Sequence, residues 1–387
     1  MTPRLETTVI AAAAVVASLA SPSVATPSFA DSSEAGVTVI AGSGERGAAQ
    51  EGVPAPRSPM NNPTGVAVRP DGTVYVSDSG NHLVRAVGTD GVIRTVAGTG
   101  RDGAGAPEPT SGTRATEVPL AFPNDLAVGR DGTVFIADGG TVRVYALKPD
   151  GTISVRADAS TGNGILPSPM GAPSGLAVAA DDTLYIADRT NFQVIALSPD
   201  GAVRLVAGGM GGAVSTAQGP ATETPVGPVT GITIDAVGDL WLSSAGKLLR
   251  VSGTTLTPVA EDVGTATTVS AGTDGVYIVD QPKRVIRRLT PGHRVTVVTT
   301  FDDAQQPILW AAAASAPDGP IYVVDNAVNQ VLAARAAPIT DAGPEPDADR
   351  TWPYLAGGVV VLILAAVTAA WWMRRRQPPV RRESGTE

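Results

Sequence analysis

Asn61-Asn62-Pro63-Thr64-Gly65-Val66-Ala67-Val68-Arg69-Pro70-Asp71-Gly72-Thr73-Val74-Tyr75-Val76-Ser77-Asp78 is the stretch whose reading decides the fold. Two short apolar runs flank Asp71-Gly72, a pair that tolerates positive φ at both positions and so forms tight hairpins. The pattern predicts strand a over Gly65–Val68 and strand b over Thr73–Ser77. Working outward, Leu83–Val87 reads as strand c and Val92–Ala97 as strand d, joined by a second Asp-Gly pair at Asp90-Gly91. The small Ala67 suits an inner strand near a crowded axis. Strand b is apolar at successive positions, which fits a strand covered on both faces.

The motif of an aromatic, a short apolar run and Asp then recurs. Tyr75–Asp78 returns as Phe135-Ile136-Ala137-Asp138, Tyr185-Ile186-Ala187-Asp188, Trp241-Leu242-Ser243-Ser244, Tyr277-Ile278-Val279-Asp280 and Tyr322-Val323-Val324-Asp325. The spacing is about 49 residues, the length of a propeller blade. The expected fold is therefore all-β, a six-bladed propeller. The sixth unit has a strand c at 330–335 but no strand d after it. Val37-Thr38-Val39-Ile40-Ala41-Gly42-Ser43-Gly44 has the look of Arg94-Thr95-Val96-Ala97-Gly98-Thr99-Gly100. The N-terminal strand is thus expected to complete blade six and close the ring.

Asn61–Val68 followed by Asp71–Arg85 resembles the NHL repeat, with Asn81-His82-Leu83 as the family's eponymous triplet. The next two units carry Thr141-Val142-Arg143 and Asn191-Phe192-Gln193 at that place, and the later ones are weaker: Ser244 replaces Asp, and the sixth strand a is Ala-rich. The resemblance covers roughly residues 37–336. Its implication is a β-propeller, a scaffold on which recognition modules and enzymes both occur. Some similar propellers are lyases that bind a metal through several His, and others are lactonase-like and bind calcium through Asp and carbonyl oxygens.

Beyond the repeats, the ends suggest a membrane-anchored, extracytoplasmic protein. Arg4, an apolar run at Thr8–Ala20 and small residues ending at Ala25 or Ala30 read as a signal peptide over 1–30, the run being too short to span a bilayer. Trp352 to Met373 is uncharged and long enough to cross as a helix, with Trp352, Tyr354, Trp371 and Trp372 at its ends. Arg374, Arg375, Arg376, Arg381 and Arg382 follow, and positive charge marks the cytoplasmic side. The expected order is signal peptide, propeller outside the cell, a Pro- and acid-rich stalk at 337–351, one span at 352–373 and a basic cytoplasmic tail at 374–387. The predominance of Arg over Lys fits GC-rich bacterial coding.

Composition narrows the chemistry. The 44 Gly and 32 Pro fit many turns, and the absence of Cys excludes disulfides and thiolate metal sites. The net charge is −9, with five of the 28 basic residues in the tail, so the folded part is acidic and nucleic acid is not an expected partner. The two His, His82 and His293, are too few for a three-His zinc site. The recurrent Asp78, Asp138, Asp188, Asp280 and Asp325 read either as a cation-binding mouth or, as expected of a residue repeated blade after blade, as caps of their own b–c turns. Lys283-Arg284-Val285-Ile286-Arg287-Arg288 reads as a solvated stripe on strand c of blade five, or a contact for an anionic polymer. No catalytic residue, metal set or cofactor is assigned.

Antiparallel blades sort the connections. The a–b and c–d turns share one face, and the b–c and d–a connections share the other. The long d–a connections Gly42–Asn62, Gly98–Pro123 and Gly208–Val226 are expected to build a recognition surface there. The candidate contact residues are Asn81, His82, Arg101, Asp102, Arg114, Glu117, Arg189 and Asn191. The function expected is a cell-surface binding or scaffold module for a protein, a peptide or an envelope polymer. The alternative is a propeller lyase or a lactonase-like enzyme.

Overall fold

The computed structural model describes residues 36–209, 211–261, 267–280, 283–290, 295–300, 313–315 and 319–335. Among the described residues the strands form six antiparallel sheets. Blade one consists of Pro63–Val68, Val74–Asp78, Leu83–Val87 and Val92–Ala97 as strands a to d. Blades two and three repeat this order from Pro123–Val128 to Ile153–Ala157 and from Pro173–Val178 to Val203–Gly208. Blade four runs from Val229–Ile234 to Thr255–Glu261, and blade five from Thr267–Gly272 to Val295–Thr300. The six inner strands contact one another in a closed cycle, the last touching the first. Ala-rich and β-branched residues of neighbouring blades interdigitate into the apolar clusters between the sheets, which bury the strand b aromatics Tyr75, Phe135, Trp241, Tyr277 and Tyr322.

Blade six is a composite. Ala313–Ser315, Ile321–Asp325 and Gln330–Ala334 are joined by Val37–Ala41, which pairs antiparallel with Gln330–Ala334. The N-terminal strand even reproduces the irregularity of a genuine strand d. Its register with strand c slips between Val39 and Ala41, as blade one slips opposite Val84 and Arg85. Gly42 continues the likeness: it turns with φ +91°, as Gly98 does with +94°, and both lie tight against the carbonyl of the residue that precedes strand c.

Local chemistry sets the turns. On one face, Asp71, Asp131, Asp150 and Asp181 each accept a hydrogen bond from the N–H two residues on, at 2.9–3.0 Å. On the other, four residues separate strands b and c in five blades, and the last of them (His82, Val142, Phe192, Arg284, Asn329) takes a left-handed φ of 52–56°. Blade four differs, since only Ala245-Gly246, both at positive φ, join Leu240–Ser244 to Lys247–Ser252. The shorter turn explains Ser244: there is no four-residue loop for an Asp to cap.

Strand bounds shift slightly from expectation. Strand a begins two residues earlier, at Pro63, because a bulge between Pro63 and Gly65 extends the pairing, and strand b runs Val74–Asp78. The larger correction concerns the long connections. They leave strand d on the b–c face but descend the outer wall. Val53–Pro54 pairs with strand d of blade one, and Gly219–Pro220 with that of blade four. The N–H groups of Ala55 and Ala115 then donate to the carbonyls of Gly91 and Gly151, in c–d turns on the far side. An unpaired outer edge offers backbone partners that a loop held above the face would lack, so the spare length is drawn down to it.

Among the described residues no helix is long and apolar enough to cross a membrane. The expected signal peptide, the stalk, the span from Trp352 to Met373 and the basic tail lie outside those residues.

Candidate functional site

A central channel, a cavity of about 250 Å³, is walled by strands a of blades one to five, from Asp125 toward the a–b turns, and the b–c face rings the opposite end of these strands. The rim of this face is held by side chains that bond across blades. Thr64 Oγ1 donates to the carbonyl of Asn124 (2.9 Å), Ser174 Oγ to that of Val229 (3.1 Å), and Asn124 Nδ2 to that of Pro173 (3.2 Å). Inner strands have one unpaired edge, and these groups answer it.

The recurrent Asp residues serve the same rim. Asp138 accepts the N–H groups of Gly140 and Thr141 in its own turn (3.1 and 3.2 Å) and of Ala121 and Phe122 in the incoming d–a segment (both 2.8 Å). Asp188 receives Thr190, Asn191 and Gly171 in the same manner, and Asp325 receives Ala327. Asp78 takes the Asn61 N–H at 2.7 Å and the Asn81 amide at 2.8 Å. Burial pushes its carboxyl up to about 6 despite those donors and the nearby Arg85 guanidinium. These carboxylates are turn caps and loop clamps. Among the described residues no three His, Asp or Glu side chains converge as a metal set.

Six of the eight sequence candidates belong to this face, four of them in the b–c turns. Asn81 and Asn191 are structural: each bonds its turn Asp and a d–a carbonyl, Gly47 and Pro169 respectively. His82 holds the left-handed position with Nδ1 2.7 Å from the Ala121 carbonyl, tying blade one to blade two. Arg189 is exposed in the b–c turn of blade three. Arg101 and Asp102 are exposed just after Gly100, which lies near the Asn81 carbonyl, and Asp102 caps Ala104 N–H at 2.9 Å.

Arg114 and Glu117 are not on this face, which corrects the expectation for both. They sit on the outer wall, where the connection has descended. Arg114 Nη1 donates to the carbonyl of Asp150 in a c–d turn (2.8 Å), and Glu117 ends the 3-10 turn Ala115–Glu117 packed on strand d of blade one. The basic run of blade five is also no solvated stripe. Arg287 ion-pairs with the buried Asp280 at 2.9 Å and Arg288 with Asp274 at 2.5 Å, and both guanidinium side chains are largely covered. His293 lies outside the described residues.

Three residues of interest escaped the sequence reading. Phe122 is 41% exposed on the b–c face, directly before strand a of blade two, and Ile165 is 66% exposed in the connection from blade two to blade three. Phe122 had a faint signal, because the same place holds Asn62, Ala172 and Pro228 in blades one, three and four. Within the channel, Asp125 stands where those blades have Gly65, Gly175 and Gly231. Its Oδ2 accepts Leu176 N–H from the next blade at 2.8 Å. The channel walls desolvate it, and its carboxyl is pushed up to about 6 against the backbone N–H groups that favour the charge.

The NHL repeat family profile matches residues 60–86, the hairpins of blade one with the Asn81-His82-Leu83 triplet. Blade one carries an NHL repeat, and the fold is a β-propeller. Solved propellers show the fold at low identity. A protein of unknown function from Bacteroides thetaiotaomicron is 14% identical with TM-score 0.54, over 77% of this chain and 74% of that one. A streptogramin B lyase is 13% identical with TM-score 0.52, over 79% and 100%. An auxiliary nutrient binding protein from B. thetaiotaomicron is 12% identical with TM-score 0.52, over 77% and 75%. No curated protein matches the chain.

Proposed function

We propose that the chain is a binding or scaffold module that captures a protein or peptide partner, or an envelope polymer, at the b–c face. The observation that carries this reading is Phe122. A large apolar side chain stands in solvent on a rim whose carboxylates and amides are already engaged with backbone, and Ile165, Arg101 and Arg189 stand on the same face. A rigid rim with an exposed aromatic and nearby guanidiniums has the makings of an interface centre. The test is capture of partners from a cell-envelope extract by the full chain. Phe122→Ser with Arg189→Ser should lower capture at least tenfold, while a double change on the outer wall should not. Equal capture by both folded variants would sink the reading.

The module is proposed to sit outside the cell on a single C-terminal span. The short apolar run at Thr8–Ala20, the long one at Trp352–Met373 and the Arg cluster after it support this. A reporter fused after Glu387 should be active only in the cytoplasm, and activity outside would reverse the topology.

One observation favours the enzymatic alternative. Asp125 is the one carboxyl among the residues lining the cavity, and burial raises it to about 6, which suits proton transfer to a substrate that enters there. Turnover of a lactone panel by the full chain, abolished in Asp125→Asn, would establish it. No turnover in the wild type would remove it.

A further inference from the structure

The opposite face carries a second concavity, which the binding reading above does not use. A groove of about 260 Å³ lies between blades one and two, beside the a–b and c–d turns. Its charged lining residues are Arg69, Arg114 and Lys148, with no carboxylate among them, in a chain where acids outnumber bases. Tyr75 and Thr116 add hydroxyls. Two Asp-Gly turns of blade two form the floor. A Cβ at Gly132 would stand 2.8 Å from Arg69 Nη2, and one at Gly151 would stand 3.1 Å from Arg114 Nη1, so the glycines let both guanidiniums lie across the turns.

The three cations do not belong to the repeat. Arg69 stands where blades two, three and four have Gly129, Ala179 and Asp235. Lys148 stands where blades one, three and four have Gly88, Ser198 and Ser252, and Arg114 where the connections into blades one and four have Pro54 and Pro220. Blades fold without a cation at any of these places. The neighbouring acids lie outside the lining and divide their oxygens between turn N–H groups and these cations. Asp71 caps Thr73 while lying 3.7 Å from Arg69, Asp150 caps Thr152, and Glu51 is held by Thr95 and Arg85. Arg69 Nη1 is steered by the Tyr75 hydroxyl at 3.3 Å and Arg114 Nη1 by the Asp150 carbonyl, which leaves further N–H groups of both side chains for another acceptor.

We propose that this groove binds a phosphate ester. Two guanidiniums and an ammonium flanked by hydroxyls supply many donors in a groove lined by no carboxylate, the chemistry of a tetrahedral oxyanion. The cavity exceeds a bare phosphate, which takes up only a few water volumes, and so has room for the alcohol that the phosphate esterifies. A free small-molecule ester and one unit of a polyol-phosphate polymer share the same recognition. The experiment titrates the full chain with inorganic phosphate, glycerol 3-phosphate and a poly(glycerol phosphate), with glycerol as the neutral control. Glycerol 3-phosphate or the polymer should bind saturably and glycerol should not. Arg114→Ser with Lys148→Ser should weaken binding at least tenfold with the thermal midpoint unchanged. Arg114→Lys with Lys148→Arg should retain most of it, and Arg101→Ser with Arg189→Ser on the other face should leave it intact. Stronger binding of the polymer would assign the source to an envelope chain, and of the monoester to a free metabolite. No saturable binding of any phosphate probe, or equal loss in the variants of the two faces, would overturn the site.

Discussion

Asp138 shows how one side chain can fasten two segments. Its two oxygens accept four backbone N–H groups, two from its own turn and two from the arriving connection. Asp138→Ala would leave those donors without their acceptor in a buried place, and the loss should be about 3 kcal/mol, read by denaturant unfolding. Asp125 makes the opposite electrostatic statement. Its folded carboxyl is raised above the ordinary value of 3.8 to about 6, so the native state holds a proton that the unfolded chain has released between those limits. Stability from this group is therefore present below about pH 4 and is lost as pH rises through 6. Solvent in the channel screens part of the effect, which should amount to about 1–2 kcal/mol. Compared from pH 4 to 7, the thermal midpoint of the wild type should fall relative to that of Asp125→Asn as pH rises. A difference constant across that range would contradict the assignment.

At the scale of strands and turns, the six-fold motif was legible because blade folding is local. Aromatic, apolar run and Asp mark strand b, and Asp-Gly marks the hairpin, so strands c and d of blade one fall where the pattern puts them. Strand a was shortened in the reading because the bulge after Pro63 leaves no mark in hydrophobic alternation. The loop face was harder to read. Arg114 and Glu117 went to the wrong surface because the path of a connection depends on an edge that it meets only after folding, and Gly- and Pro-rich sequence does not record that path. The recurring Ala115-Thr116-Glu117 and Ala221-Thr222-Glu223 are the wall-hugging 3-10 turns. Phe122 was passed over because a single aromatic in a Pro-flanked segment looks the same whether buried or exposed. The turn out of strand d gives a sharper test. A Cβ on Gly98 would stand 2.2 Å from the His82 carbonyl at a φ of +94°. Gly98→Ala should thus cost about 2 kcal/mol or more, whereas Gly105→Ala, strained in φ but in open space, should cost about 1 kcal/mol.

For the whole molecule, the decisive contact joins Val37–Ala41 to Gln330–Ala334. Removing residues 37–44 should strip the outer strand from blade six, expose the edge of Gln330–Ala334 and lower the thermal midpoint or provoke aggregation. An unchanged midpoint would show that the ring is held another way. The same contact dictates an order of events during synthesis. The ribosome makes the first strand of the propeller nearly three hundred residues before its partner, and five blades can assemble from neighbouring segments while that strand waits unpaired. Joining such distant stretches is slow, because the chain entropy of a long loop is lost before any pairing is gained. A nascent chain stopped anywhere short of residue 330 therefore displays a free, β-prone N-terminal strand, and only a finished one conceals it. Completion of the polypeptide is thus written on its surface, as a signal that a chaperone or a protease at the site of folding can read.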